Sequence, residues 1–107
     1  MTHRVIITQK AKDDLRHCYS VAAQHAPETA ARWLHRFEES LQTLSDNPTR
    51  CPLAPEDDLV DQPIYQFVYG KRSSRYRVLF TVAGEQVLVL HIRRGTMDKA
   101  AETDLFE

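Results

Sequence analysis

The sequence predicts an α+β fold of order β-α-α-β-β-β, with a helix hairpin packed on one face of a small antiparallel sheet. Three observations carry that expectation. A short β-branched stretch, "HRVIIT", opens the chain, and two segments with apolar residues at three- and four-residue intervals follow it. After the prolines of "SDNPTRCPLAPEDD", the pattern changes to the period of two that belongs to strands. Helical patterns kept together and followed by consecutive strands are the signature of helices segregated to one side of a sheet.

The first strand is expected over residues 3–7. Thr8 then stands where an N-cap belongs, ahead of a helix running to about Gln24. Ala11, Leu15, Cys18 or Tyr19, and Ala22 share one face of it. "HAPE" interrupts this helix; Pro27 suits a first helical position and Glu28 complements the helix dipole. The second helix, to about Ser45, carries Ala30, Leu34, Phe37, Leu41 and Leu44 as its buried stripe. So short a link makes the pair an αα-hairpin, and the prolines after Asn47 stop it.

In "PIYQFVYG", Tyr65, Phe67 and Tyr69 fall on one face of a strand. In "RYRVLFTV", Tyr76, Val78, Phe80 and Val82 form the more apolar face, expected to pack on the helices, with Arg75, Arg77, Leu79 and Thr81 opposite. "QVLVLHIRR" is apolar on both faces until His91, Arg93 and Arg94, and Gly84 in "VAGEQV" supplies a positive-φ turn position.

A chain of 107 residues is expected to form one domain, residues 1–107, with the tail 96–107 either mobile or docked on a partner through Leu105 and Phe106. Its 42% hydrophobic and 27% charged residues suit a soluble globular protein, and no apolar run approaches a membrane span. The start lacks the apolar stretch and cleavage site of a signal peptide. Cys18 and Cys51 read as two reduced thiols of a cytosolic protein, being too few and too far apart for a disulfide framework or a metal knuckle. His17, His25 and His35 form no recognised metal-ligand spacing, and no cofactor is implied.

A net charge of −1 argues against a protein that coats nucleic acid non-specifically. The charge is unevenly spread. Glu38, Glu39, Asp46, Glu56, Asp57, Asp58 and Asp61 lie in one acidic region, and its "PEDDLVD" stretch is expected to be solvated surface. Lys71, Arg72, Arg75, Arg77, Arg93 and Arg94, with His91, gather at the open end of the last hairpin. A turn centred on Gly84 sets Arg77 opposite His91 and Arg75 opposite Arg93. A shift by one residue sets Arg94 opposite Arg75 and flips the facing set. Like charges facing each other across strands destabilise a hairpin. The cluster therefore reads as an anion-binding face, where guanidinium forks grip phosphate or carboxylate, or as strand-end arginines whose stems cover apolar neighbours. Trp33 and Phe37, four apart, are expected in the core. Tyr65, Phe67 and Tyr69 are expected under the helices, with base stacking beside the arginines as the other reading.

The order and spacing of "VIITQKAKDDL", "LSDNPTRCP" and "GKRSSRYRVLFTVAGEQVLVLHIRRG" resemble the RelE/ParE toxin superfamily, the plasmid-stabilisation toxins of type II toxin–antitoxin modules, over roughly residues 3–98. The resemblance implies a compact β-α-α-β-β-β fold, an antitoxin whose C-terminal segment wraps the toxin, and growth arrest when the antitoxin is lost. RelE-like members cut mRNA in the ribosomal A site; ParE-like members poison DNA gyrase and are not nucleases. Arg77 in "YRVLF" matches a catalytic arginine position of the RelE branch. The lysines which that branch carries on the preceding strand are replaced by Val68 and Gly70, and its arginine after the last strand by "GTMD". Its C-terminal tyrosine or His–Tyr pair is also missing: "KAAETDLFE" holds neither, and Lys99 is its only base. With Arg77 and His91 as the sole ribonuclease candidates, the expectation is a ParE-like, non-nucleolytic toxin directed at gyrase. The alternatives are a ribosome-dependent endoribonuclease and a degenerate, non-toxic antitoxin-binding protein. On this reading the partners are an antitoxin and gyrase, or else the ribosome and its mRNA, with Lys71, Arg72, Arg75, Arg77, His91, Arg93 and Arg94 as the binding face.

Overall fold

The computed structural model describes residues 2–70 and 75–94. Along them run β1 (Arg4–Ile7), α1 (Gln9–Ala23), α2 (Pro27–Gln42), three short 3-10 turns, β2 (Tyr65–Tyr69), β3 (Tyr76–Ala83) and β4 (Gln86–Arg94). The α+β class and the element order are those expected. Lys71, Arg72 and the tail 96–107, with Leu105 and Phe106, lie outside the described residues.

Local chemistry sets the helix starts. Thr8 is extended, and its hydroxyl oxygen accepts the Ala11 N–H at 3.3 Å, an N-cap that meets one of the helix's orphan donors. The same hydroxyl donates to the Val89 carbonyl at 2.7 Å, which fastens the helix start to β4. Pro27 opens α2 and Glu28 lies in its first turn. The α-helix ends at Gln42, short of Ser45, because Thr43–Ser45 tightens into a 3-10 turn. Asn47 then takes a left-handed conformation (φ 48°) ahead of Pro48.

The sheet order is β1-β4-β3-β2. The β2–β3–β4 meander is antiparallel, and β1 joins β4 in parallel, Arg4 beside Gln86 through Ile7 beside Val89. A parallel partner needs a long crossover, which the two helices and the meander supply. Beyond Ile7, α1 takes over the edge of β4: the Thr8 N–H donates to the Val89 carbonyl at 3.1 Å, and Asp14 accepts the Ile92 N–H at 3.0 Å. A strand edge that would otherwise template further pairing is thereby covered.

The main core lies between the helices and one sheet face. Phe37 is fully buried at its centre, with Trp33, Tyr69 and Tyr76 centroids 5.3, 4.6 and 5.9 Å away. Val78, Phe80, Val87, Val89 and Ile92 complete it, with Tyr65, Phe67, Tyr76 and Val82 packed against them, as the alternation predicts. Such aromatic pairs add roughly 0.5–1.5 kcal/mol each beyond the area they bury.

The opposite face is closed by the segment 51–64, where Ala54, Ile64, Leu79 and Leu90 form a second small core. Backbone bonds from Ala54 to Ile64 (2.8 Å) and from Gln66 to Pro52 (2.9 Å) bind this strap to β2, and Thr81 Oγ1 donates to the Pro63 carbonyl at 2.8 Å. The expectation of a fully solvated "PEDDLVD" is thus corrected: Glu56 has no exposed surface.

Candidate functional site

The hairpin register at the arginines differs from the one expected, through two separate offsets. Ala83 pairs with Gln86, so the turn is the two-residue Gly84–Glu85, with Gly84 at φ 61°, and is not centred on Gly84. A bulge then leaves Leu90 without a cross-strand partner, between the Phe80–Val89 and Leu79–His91 pairs. The first offset reverses the facing set and the second restores it. Arg77 consequently sits opposite Arg93, and His91 opposite Leu79, where the sequence reading set Arg77 opposite His91. Arg94 lies opposite Tyr76.

The facing arginines avoid repulsion by turning to different partners. Arg77 turns toward β2 and the strap. Its Nε donates to Gln66 Oε1 at 2.7 Å, and a terminal nitrogen pairs with the Glu56 carboxylate. The Arg77 side chain is 12% exposed and that of Glu56 not at all. The positive charge is matched inside the chain, and the strap enters the fold because a buried guanidinium needs a counterion.

Arg93 turns toward α1. Its NH1 donates to His91 Nε2 at 3.1 Å, while His91 Nδ1 meets Asp14 Oδ2 at 2.5 Å. Asp14 also takes the Ile92 N–H on that oxygen and Lys10 Nζ on the other, at 3.1 Å. Burial works to raise the Asp14 pKa. The His91 hydrogen bond and the Ile92 N–H outweigh it, aided by the His91 charge and Lys10, and hold the carboxyl below its ordinary value. His91 is 5% exposed.

These residues form one wall of a groove of about 670 Å³ between α1 and the ends of β3 and β4. Lys10, Arg93 and Arg94 give it cationic character, and Val21 and Tyr76 an apolar floor. Asp14 is the only carboxylate among the described lining residues, and three donors already occupy it. Burial and then the neighbouring Asp14 push the Cys18 thiol up, with Arg94 working against them. Val21 is among the few large apolar side chains left exposed. Such a cavity can receive a segment with an acidic and an apolar side.

The expected basic face therefore divides. Arg77 belongs to the strap cluster, His91, Arg93 and Arg94 belong to the groove, and Arg75 is exposed and belongs to neither set of residues. Asp14, Lys10, Gln66 and Glu56 are the partners that sequence reasoning missed. Asp14 carried a legible signal: it lies between Ala11 and Cys18 on the buried side of α1, where a carboxylate needs a donor. Nothing local marks Glu56 out from Asp57 and Asp58. Among the described residues no group of three or more His, Cys, Asp or Glu side chains could hold a metal ion, and no helix is long and apolar enough to cross a membrane.

A sequence profile for the ParE toxin of type II toxin–antitoxin systems, parDE, matches residues 5–99. No curated protein sequence matches the chain. Among solved structures, a chain of the chromosomal ParDE toxin–antitoxin system from P. aeruginosa superposes with a TM-score of 0.71 at 20% identity, covering 87% of this chain and 96% of that one. The E. coli toxin RelE, as a double arginine-to-alanine mutant in the free state, gives 0.56 at 16% identity, covering 90% and 86%. The toxin–antitoxin complex RelBE2 from Mycobacterium tuberculosis gives 0.51 at 22% identity, covering 88% and 99%. At these identities the superpositions speak for a shared fold.

Proposed function

The chain belongs to the ParE toxin family of type II toxin–antitoxin systems, and from that premise we propose that it arrests growth without cutting RNA, by trapping DNA gyrase on DNA in the cytoplasm. The observation that carries this reading is the state of Arg77. Cutting RNA through its 2′-hydroxyl requires a base, a cationic clamp on the developing phosphorane and an acid for the leaving oxygen. The one arginine at a RelE-branch catalytic position is buried against Glu56 and Gln66. Withdrawing it to meet a phosphate would strip the guanidinium from a buried carboxylate, at a cost of roughly 3–5 kcal/mol. His91 offers no relay either, since Asp14 holds one ring nitrogen and Arg93 the other.

An antitoxin is the natural partner of such a chain, and the ParDE and RelBE2 structures it resembles are described as toxin–antitoxin assemblies. Its seat is the groove, where Arg93 and Arg94, with Lys10 and the apolar floor, would meet an acidic amphipathic segment. Induced expression without an antitoxin tests the reading. Growth should stop with a DNA-damage response and intact transcripts. Transcripts cut at codons would overturn it, and undisturbed growth would leave an antitoxin-binding protein that is not toxic.

A further inference from the structure

Of the chain's five histidines, His17, His25 and His91 line the groove between α1 and the strand ends. They are not alike. His91 is buried and held by Asp14, much as the exposed His35 on α2 is held by Glu39 at 3.2 Å. His17 and His25 are exposed, and neither ring has a hydrogen bond or an ion pair among the described residues. Helical spacing accounts for where they stand. His17, Val21 and His25 are four residues apart, which sets them in one row along α1 and just past its end, the two rings roughly two turns apart. Lys10 and Asp14 begin the same row and pair with each other at 3.1 Å. The first half of the row is thus satisfied within the chain. The second half presents an exposed apolar side chain, Val21, between two unused imidazoles.

A lone surface histidine needs only water. Two in one row of one groove, flanking an apolar contact, are placed to meet the same object. A neutral imidazole brings it no charge, whereas a protonated one brings a positive charge and two N–H donors. The groups around them are Tyr76 from β3, His91, Arg93 and Arg94 from β4, and Lys10, Asp14 and Cys18 on α1 itself. Asp14, the only carboxylate among the described lining residues, is taken by His91, Ile92 and Lys10. The carboxylate that pairs with an imidazolium here has to arrive with the occupant. We propose, on the reading that the groove receives an acidic partner segment, that His17 and His25 read the carboxylates of that segment and take up protons as it docks. By linkage, a group that gains a proton on binding strengthens binding when it is already protonated. The groove therefore holds its partner more tightly as the pH falls from about 8 to about 6, the range in which histidine changes charge.

The purified chain is titrated with a synthetic helical peptide bearing one glutamate stripe and one leucine stripe, at both ends of that range, where glutamate stays ionised. Wild-type affinity should rise about tenfold from the higher pH to the lower, about threefold for each imidazole, the size of an exposed ion pair. His17→Gln and His25→Gln should each remove about threefold of the rise, and the double variant should bind almost equally at both. His17→Lys carries its charge throughout, so at about pH 8 it should bind about threefold more tightly than the wild type. Both positions are exposed, so the urea midpoint should stay at its wild-type value in every variant. Equal wild-type affinity at both pH values overturns the proposal and leaves the groove reading standing. So does a rise that survives in the double glutamine variant, which would assign it to His91 or to the peptide. Arg94→Glu tests the reading beneath, since it reverses a charge in the groove wall and should weaken the peptide at both pH values. Unchanged affinity in that variant, or no binding to the wild type at either pH, sinks the groove reading and the proposal with it.

Discussion

Replacing Arg77 with alanine should weaken growth arrest under either mechanism, but for different reasons, and the structure supplies a way to tell them apart. The Arg77 side chain is 12% exposed and the Glu56 side chain fully buried, so the single change takes the guanidinium from a carboxylate that water cannot reach. Breaking a buried pair on one side costs roughly 3–5 kcal/mol. A domain of this size has only about 5–15 kcal/mol to lose. With a urea slope near 1.5 kcal/mol per M, the midpoint should fall by about 2–3 M. Replacing both partners, Arg77→Met with Glu56→Leu, substitutes apolar volume for the pair and should be neutral, or stabilising by up to about 4 kcal/mol. The assay is urea unfolding of the wild type, single and double variants, beside growth after induction of each. Recovery of both the midpoint and the arrest in the double variant would show that Arg77 serves the fold. A double variant folded like the wild type but harmless would refute the reasoning and give Arg77 back to the chemistry. A single variant within about 0.5 M of the wild-type midpoint would refute the energetic argument itself.

Four further outcomes follow from particular contacts. Phe37→Ala empties the centre of the aromatic cluster and should cost about 3–5 kcal/mol by urea unfolding. Thr8→Val keeps the shape but removes the cap on Ala11 and the hydroxyl bond to Val89, for about 1–2 kcal/mol in the same experiment. Asp14 titrates lower in the folded chain than its ordinary 3.8, so its stabilisation is complete above that value and is lost as the pH falls through the lower folded one; urea midpoints taken down through this range should fall less steeply in Asp14→Asn than in the wild type. Burial raises both cysteine thiols, so Cys18 and Cys51 should alkylate more slowly at mildly alkaline pH in the folded chain than after unfolding, followed by mass spectrometry.

The helices were legible because their signals are local: the apolar stripe, Thr8 as a cap and Pro27 at a first turn. The strand faces were legible for the same reason, and Tyr76, Val78, Phe80 and Val82 do pack on the helices. What escaped is set at long range. The parallel pairing of Arg4 with Gln86 joins opposite ends of the chain, and no short window records it. The bulge at Leu90 sits within an unbroken apolar run, where one leucine looks like the next. The site followed the same rule. Arg77, His91, Arg93 and Arg94 could be named from residue type, whereas their counterions come from the strap and from α1. The clustered charge at the open hairpin end that looked like a demand for an outside anion is met at Arg77 by the chain's own Glu56. Arg93 and Arg94 lie on the groove side instead.

The most direct test of the central claim is to mix the purified protein with DNA gyrase and supercoiled plasmid, trap the products with detergent and protease, and measure linear DNA. The account predicts that linear DNA accumulates with toxin concentration, while an mRNA on translating ribosomes stays whole under the same dose. Intact plasmid together with an mRNA cut on the ribosome would contradict it.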